Sequence, residues 1–177
     1  MALRQEVRLL RLANEELERL VVRDTLTPLY NRRHFINSLA ERLHRLERYG
    51  TGSALVFIDV DGMKRINDNF GHGAGDHALN HIARLLMASI RATDIAARVG
   101  GDEFALLLDG LSEDGANDKA RQLATLIAGA DCLFDGMPLP LAASFGCTAL
   151  RPGDSDFAAI ARADMAMYAA KRRAAQH

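Results

Sequence analysis

Ile95-Ala96-Ala97-Arg98-Val99-Gly100-Gly101-Asp102-Glu103-Phe104-Ala105-Leu106-Leu107-Leu108 is the stretch whose reading decides the fold. Two apolar runs flank a tight turn, and paired glycines supply the positive φ that such a hairpin turn demands. A hairpin makes at least part of the sheet antiparallel. Upstream, Ser53-Ala54-Leu55-Val56-Phe57-Ile58-Asp59-Val60 is a short, continuous apolar run. It reads as a strand buried on both faces that ends in acid. Helical patterns surround these strands. Residues 32–48 place Phe35, Leu39, Leu43 and Leu46 on one face, and Tyr49-Gly50-Thr51-Gly52 stops them. A short helix follows Asp61, and a longer one, residues 76–92, carries Leu79, Ile82, Leu85 and Leu86 inward. Residues 114–128 read as helix with Leu123, Ala124 and Ile127 inward. Residues 139–142 and 143–150 read as two strands or as one. Asp156 reads as the cap of a last helix that buries Phe157, Ile160, Ala161 and Tyr168. The order helix, strand, helix, helix, hairpin, helix, strand, helix argues against a doubly wound parallel sheet. It predicts an α/β (α+β) fold, a ferredoxin-like sheet with flanking helices.

Residues 1–23 differ from everything after them: they hold no Gly or Pro and are rich in Leu, Arg and Glu, which predicts helix. Leu3, Val7, Leu10, Asn14, Leu17 and Val21 recur at alternating steps of four and three, a heptad seam. An Asn in an a position fixes the register of a parallel two-stranded coiled coil, so a homodimer is expected through this helix. The alternative is a single amphipathic helix lying on its own domain. Asp24 to Asn31, with turn formers and Pro28, separates the helix from the rest. The expected division is therefore a dimerisation helix, 1–23, and a separate folded domain, 24–177.

With 177 residues, 49% of them apolar, the chain can bury a sizeable core. A net charge of −1 provides no global field toward nucleic acid or anionic lipid, so any phosphate must be held by a local site. No apolar run approaches the length of a membrane span. The two cysteines, Cys132 and Cys147, lack the spacing of a metal clip, and no secretory leader is evident, which points to the cytoplasm.

Two acid clusters stand out. Asp59 and Asp61 close the buried strand, where a carboxylate is costly unless it meets a cation or a donor. Asp61 also suits the N-cap of the following helix. Asp102 and Glu103 lie beside Gly100 and Gly101, which either form a plain turn or let a polyphosphate approach the backbone while the acids hold a divalent cation. All-oxygen ligands and a phosphate substrate favour Mg²⁺ over a transition metal. Asp59 with Asp102 and Glu103 on adjacent strands would make a phosphoryl- or nucleotidyl-transfer site. Lys64 suits a phosphate, or is an ordinary surface lysine. Asn67 and Asp76 suit an exocyclic amide edge, a carboxylate accepting from N1–H and N2–H₂ being a guanine reader. His72 reads as a structural loop histidine.

At this point a resemblance is clear. Arg98-Val99-Gly100-Gly101-Asp102-Glu103-Phe104 is similar to the signature of the GGDEF family of diguanylate cyclases. The segment from Asp59 to His72 resembles that family's phosphate- and guanine-binding segment. Asp24-Thr25-Leu26-Thr27-Pro28-Leu29-Tyr30-Asn31-Arg32-Arg33 resembles its entry motif, with Pro28 where glycine is commoner. The resemblance implies a nucleotidyl-cyclase-like sheet and the condensation of two GTP into cyclic di-GMP with release of two pyrophosphates, at the interface of two facing domains. It implies that Asp59, the Val60 carbonyl, Asp102 and Glu103 hold Mg²⁺ or Mn²⁺, two ions per site. It further implies that Asp102 or Glu103 assists loss of the 3′-proton, that Lys64 and Lys171 contact phosphates alongside Gly100 and Gly101, and that Asn67 and Asp76 read guanine.

Arg91-Ala92-Thr93-Asp94, with five residues before Gly100, resembles the family's RxxD site where product binds and inhibits. The C-terminus departs from the family. Ala174, Ala175 and Gln176 stand where glycine, arginine and asparagine are usual, so a phosphate contact is missing. That departure keeps open an alternative, a weak or inactive domain acting as a receptor for GTP or cyclic di-GMP.

Overall fold

The computed structural model describes residues 2–174. Its centre is a five-stranded sheet in the order β1 (Tyr30–Asn31), β3 (Ile95–Arg98), β4 (Glu103–Asp109), β2 (Ser53–Val60), β7 (Ala143–Ala149). β1 runs parallel to β3, and every other neighbouring pair is antiparallel. The helices are α1 (Ala2–Leu20), α2 (Arg32–Tyr49), α3 (Met63–Phe70), α4 (His72–Ala88), α5 (Glu113–Ala128) and α6 (Asp156–Ala174). Taken as β2, helices, β3–β4, helix, β7, the centre is the ferredoxin-like arrangement expected from the hairpin.

The apolar run of β2 is continuous because both of its faces are covered. Ala54, Val56, Ile58 and Val60 join a core with Ala78, Ile82 and Leu86 of α4 and Leu123 and Ile127 of α5. Leu55 and Phe57 join a second core on the opposite face, with Phe35 and Leu39 of α2 and Ala159, Ala163 and Met167 of α6. Asp59 continues this second side of the strand, which is why the acid emerges toward α6.

Four boundaries differ from the sequence reading. The long helix spans His72–Ala88, starting four residues earlier and ending four earlier than expected, because Gly71 at φ 85° lets the chain re-enter helix directly after α3. Residues 139–142 are not strand; instead a hairpin, β5 (Leu133–Phe134) and β6 (Met137–Pro138), precedes them. Ser155, not Asp156, caps α6, its hydroxyl accepting the Ala158 amide at 3.1 Å. The buried face of α6 is also different. Phe157 and Tyr168 are 78% and 62% exposed, and Ala159, Ala163 and Met167 face the sheet. The reason lies at Gly146 of β7, where a Cβ would fall 2.1 Å from the Met167 amide nitrogen and 2.2 Å from the Ala163 carbonyl oxygen. Helix and strand backbones touch there, which leaves no room for a side chain on the strand at Gly146 and lets Ala159, Ala163 and Met167 face the sheet.

α1 is a continuous helix, and its own domain does not cover its seam. Leu3, Val7, Leu10 and Leu17 are all exposed, as are Leu9 and Leu12 off the seam. Among the described residues, no helix is long and apolar enough to cross a membrane.

Candidate active site

Register brings the acids together. Asp59 on β2 lies directly opposite Glu103 on β4 and opposite Ser144 on β7. The Val60 amide donates to the Asp102 carbonyl at 3.0 Å, which locks the end of β2 to the Gly-Gly turn. Asp59 is 8% exposed, and its carboxylate accepts from the Lys171 ammonium of α6. Lys171 also stands 4.0 Å from Asp61. Asp61 does not cap α3, whose N-cap is Gly62 without a side-chain bond; its two oxygens accept from the Ser144 hydroxyl at 3.0 and 3.1 Å. Gly100 carries no side chain for a local reason: a Cβ there would lie 2.3 Å from the Glu103 carboxylate.

The electrostatics follow from this crowding. Burial, then the charges of Asp59, Asp102 and Asp164, push the Glu103 carboxyl above its ordinary value, with Arg32 partly opposing. Burial also raises Asp61, more than Ser144 and Lys171 lower it. The hydrogen bond to Asp59 raises Lys171, against the desolvation that would lower it. Like charges held this close at a strand end call for a cation.

A cleft of about 490 Å³ runs from Asp102, beside these acids, to the α3–α4 corner. Lys64, Asn67, His72, Gly75, Asp76, Arg98, Gly101 and Asp102 are among its walls. Lys64 and Asn67 sit on α3 and Asp76 on the second turn of α4, so the tight Gly71 corner brings Asn67 and Asp76 into the same cleft. His72 is no loop residue: it begins α4 and lines the cleft. Gly101 has open space where a side chain would be, leaving its backbone accessible to a ligand.

The turn itself is held from below. Arg98 donates to the Gly101 carbonyl at 3.2 and 2.7 Å and to Asp24 at 3.4 Å. Burial alone would raise the Asp24 pKa, but hydrogen bonds from the Thr27 amide and hydroxyl, with the Arg98 charge, hold it below the usual carboxylate range. This clamp joins the entry segment to the Gly-Gly turn. Both segments are legible in the sequence, but the contact between them is not. Ser144 and Asp164 were missed altogether, since they reach the acids only through sheet register and helix packing.

Gly75 carries a test. A Cβ at this position would fall 2.0 Å from Asn67 Oδ1, the end of a movable side chain. Gly75→Ala is therefore expected to keep or slightly raise stability, by up to about 1 kcal/mol from helix propensity. It should weaken nucleotide binding roughly tenfold by turning Asn67 away. Calorimetry with GTP checks this, and unchanged affinity would separate Asn67 from the nucleotide.

Arg91 and Asp94 lie apart from the acid cluster, flanked by two shallow cavities of about 210 and 330 Å³. Asp94 is buried, and its carboxylate accepts from the Arg91 and Asp109 amides, both at 2.9 Å. It shapes the loop that presents Arg91. Arg42 of α2 reinforces the loop, donating to the Thr93 carbonyl at 2.5 Å and to Asp109 at 2.6 Å.

With this geometry in place, comparison with known proteins decides the family. The family model described as "Diguanylate cyclase, GGDEF domain" matches residues 21–177. The chain belongs to the GGDEF family. Among curated relatives, this GGDEF domain is 41% identical over 156 residues to the diguanylate cyclase TpbB of Pseudomonas aeruginosa, covering 85% of the chain and 35% of the relative. It is 38% identical over 158 residues to diguanylate cyclase DgcP of the same species, covering 89% and 24%. The chain thus spans a quarter to about a third of the length of these relatives. Among solved structures, it superposes with TM-score 0.82 and 28% identity on the coiled coil and GGDEF domain of DgcB from Caulobacter crescentus in complex with c-di-GMP, covering 95% of this chain and 90% of that one. Diguanylate cyclase SiaD of P. aeruginosa, solved with its activator SiaC, gives TM-score 0.83 at 33% identity, covering 96% and 65%.

The family is generally metal-dependent, and the GGDEF site suits a hard cation. The groups there that could hold one, the carboxylates of Asp59 and Asp102 and the backbone carbonyl of Val60, are all oxygen. Among the described residues no cluster of three or more His, Cys, Asp or Glu side chains forms a ready-made cage, so oxygens from outside the protein would complete the coordination. Of the divergent C-terminal positions, Ala175 and Gln176 lie outside the described residues.

Proposed function

We propose that the chain condenses two GTP into cyclic di-GMP, each 3′-hydroxyl attacking the other nucleotide's α-phosphate and expelling pyrophosphate. The observation that carries this reading is the cleft joining Asn67 and Asp76, which suit guanine, to Lys64, Gly101 and Asp102, with Asp59 and Glu103 paired on the adjacent strands next to Asp102. Asn67 and Asp76 orient the base, the bare backbone at Gly101 admits the phosphates, and Lys64 and Lys171 offset the charge that builds on them. Asp59, the Val60 carbonyl, Asp102 and Glu103 would hold Mg²⁺ or Mn²⁺, two ions per site, which supply Lewis-acid activation of the phosphate. Asp102 or Glu103 accepts the 3′-proton. Since one domain holds one GTP, two domains must face each other. The exposed apolar seam of α1 suits a parallel coil that pairs two copies. A reaction consuming GTP places this domain in the cytoplasm. The relative DgcB was solved with c-di-GMP, and the Arg91–Asp94 loop suits product binding, so product inhibition belongs to the proposal.

GTP turnover with Mg²⁺, its products separated by chromatography with and without added cyclic di-GMP, tests the reading. Cyclic di-GMP is expected, with turnover falling as product is added. Saturable GTP binding without product would mark a receptor instead, and turnover indifferent to added product would remove inhibition from the proposal. Deleting residues 1–20 should lower activity per chain by about tenfold or more at sub-micromolar concentration, because encounter of two domains then becomes bimolecular. Undiminished turnover on dilution of the shortened chain would detach α1 from dimerisation.

A further inference from the structure

Asp59 is buried at a strand end, faces Glu103 across the sheet and shares its surroundings with Asp61. An ionised carboxylate withdrawn from water needs a cation or strong donors. Lys171 supplies one here, donating to Asp59 and standing 4.0 Å from Asp61. Its anchorage is unequal along its length. One helical turn before it, Met167 is packed against Gly146, so the backbone of α6 is fixed at that point. The side chain beyond is 44% exposed, a flexible stem carrying a compact charge that can be redirected.

We propose that Lys171 is the resident counter-ion of Asp59 while the site is free of nucleotide, and that its transfer to the nucleotide's phosphates couples metal binding to nucleotide binding. This deepens the reading of the site given above and rests on it. A divalent cation approaching Asp59 meets the Lys171 ammonium within a few ångströms, and the two like charges repel. The ammonium leaves readily only when another anion receives it, and a triphosphate is that anion. Metal and nucleotide therefore each bind better in the presence of the other, by the same factor. Without nucleotide, the acids hold metal weakly. Had Lys171 served merely to staple the end of α6 to the sheet, removing it would loosen the helix and give the metal no advantage.

The test uses Mn²⁺ alone, titrated into the nucleotide-free protein and followed by the electron paramagnetic resonance of the free ion. Lys171→Met, which keeps the stem and removes the charge, is expected to bind Mn²⁺ about tenfold tighter than wild type without nucleotide. The enhancement of Mn²⁺ affinity by a non-hydrolysable GTP analogue should shrink by a similar factor. Adding Asp59→Asn to Lys171→Met should cancel the gain, which ties it to that carboxylate. Equal or weaker Mn²⁺ binding by Lys171→Met overturns the proposal, as does a gain that survives Asp59→Asn. The readout is metal affinity and not turnover, so a failure of the cyclase reading would show in the product assay and remain distinguishable from a failure here.

Discussion

Glu103→Gln is expected to lower the rate of cyclic di-GMP formation by about 10²–10⁴-fold, the range lost when a positioned acid–base group is removed. GTP binding should change far less, because Glu103 is not among the walls of the nucleotide cleft. The physical basis is its surroundings. Glu103 lies opposite Asp59 on the neighbouring strand, and burial with the charges of Asp59, Asp102 and Asp164 raises its pKa while the site holds no cation. Removing one charge from this group relieves repulsion, and the folded state should be as stable as wild type or more so. Kinetics and urea unfolding of the same preparation check both halves. A fall in rate accompanied by a fall in stability would make the effect structural, and a rate within threefold of wild type would take Glu103 out of the chemistry.

Gly146→Ala should have the largest effect on stability. The added carbon would lie 2.1 and 2.2 Å from backbone atoms of Met167 and Ala163, which cannot rotate aside. Overpacking a core typically costs about 1–3 kcal/mol, and a clash with backbone belongs at or beyond the upper end. A loss of roughly 3 kcal/mol or more is expected, a drop in melting temperature of roughly 10 °C for a domain of this size. Thermal unfolding followed by circular dichroism reads it directly. An unchanged midpoint would mean that α6 does not lie on β7 as described. Gly75→Ala makes the same chemical change with the opposite balance, since its obstacle is the end of the Asn67 side chain. One glycine serves the fold and the other serves the site.

The two substitutions show where sequence reading stops. Both glycines are ordinary in the chain, one within a strand and one within a helix, and no local pattern marks either. The same limit explains the misread face of α6. Phe157 and Tyr168 are its largest apolar candidates, yet the helix presents Ala159, Ala163 and Met167, because the close approach of its backbone to Gly146 sets which face meets the sheet. The β5–β6 hairpin escaped notice because strands of two residues leave no periodicity to detect.

The sequence by itself determined the hairpin, the buried strand ending in Asp59, the helices that flank them and the family, since each is written in contiguous residues. Apolar periodicity suffices for such features, although neither Gly100 nor Gly101 takes the positive φ expected of the turn: Gly100 lies against the Glu103 carboxylate and Gly101 in open space. Only the tertiary structure decided that Asp61 accepts from Ser144 instead of capping a helix, and that Arg98 ties Asp24 to the Gly-Gly turn. It likewise decided that Lys171 reaches Asp59 across 112 residues of chain. Those contacts depend on strand register and on how closely α6 can approach β7, distances that packing sets and local sequence does not encode.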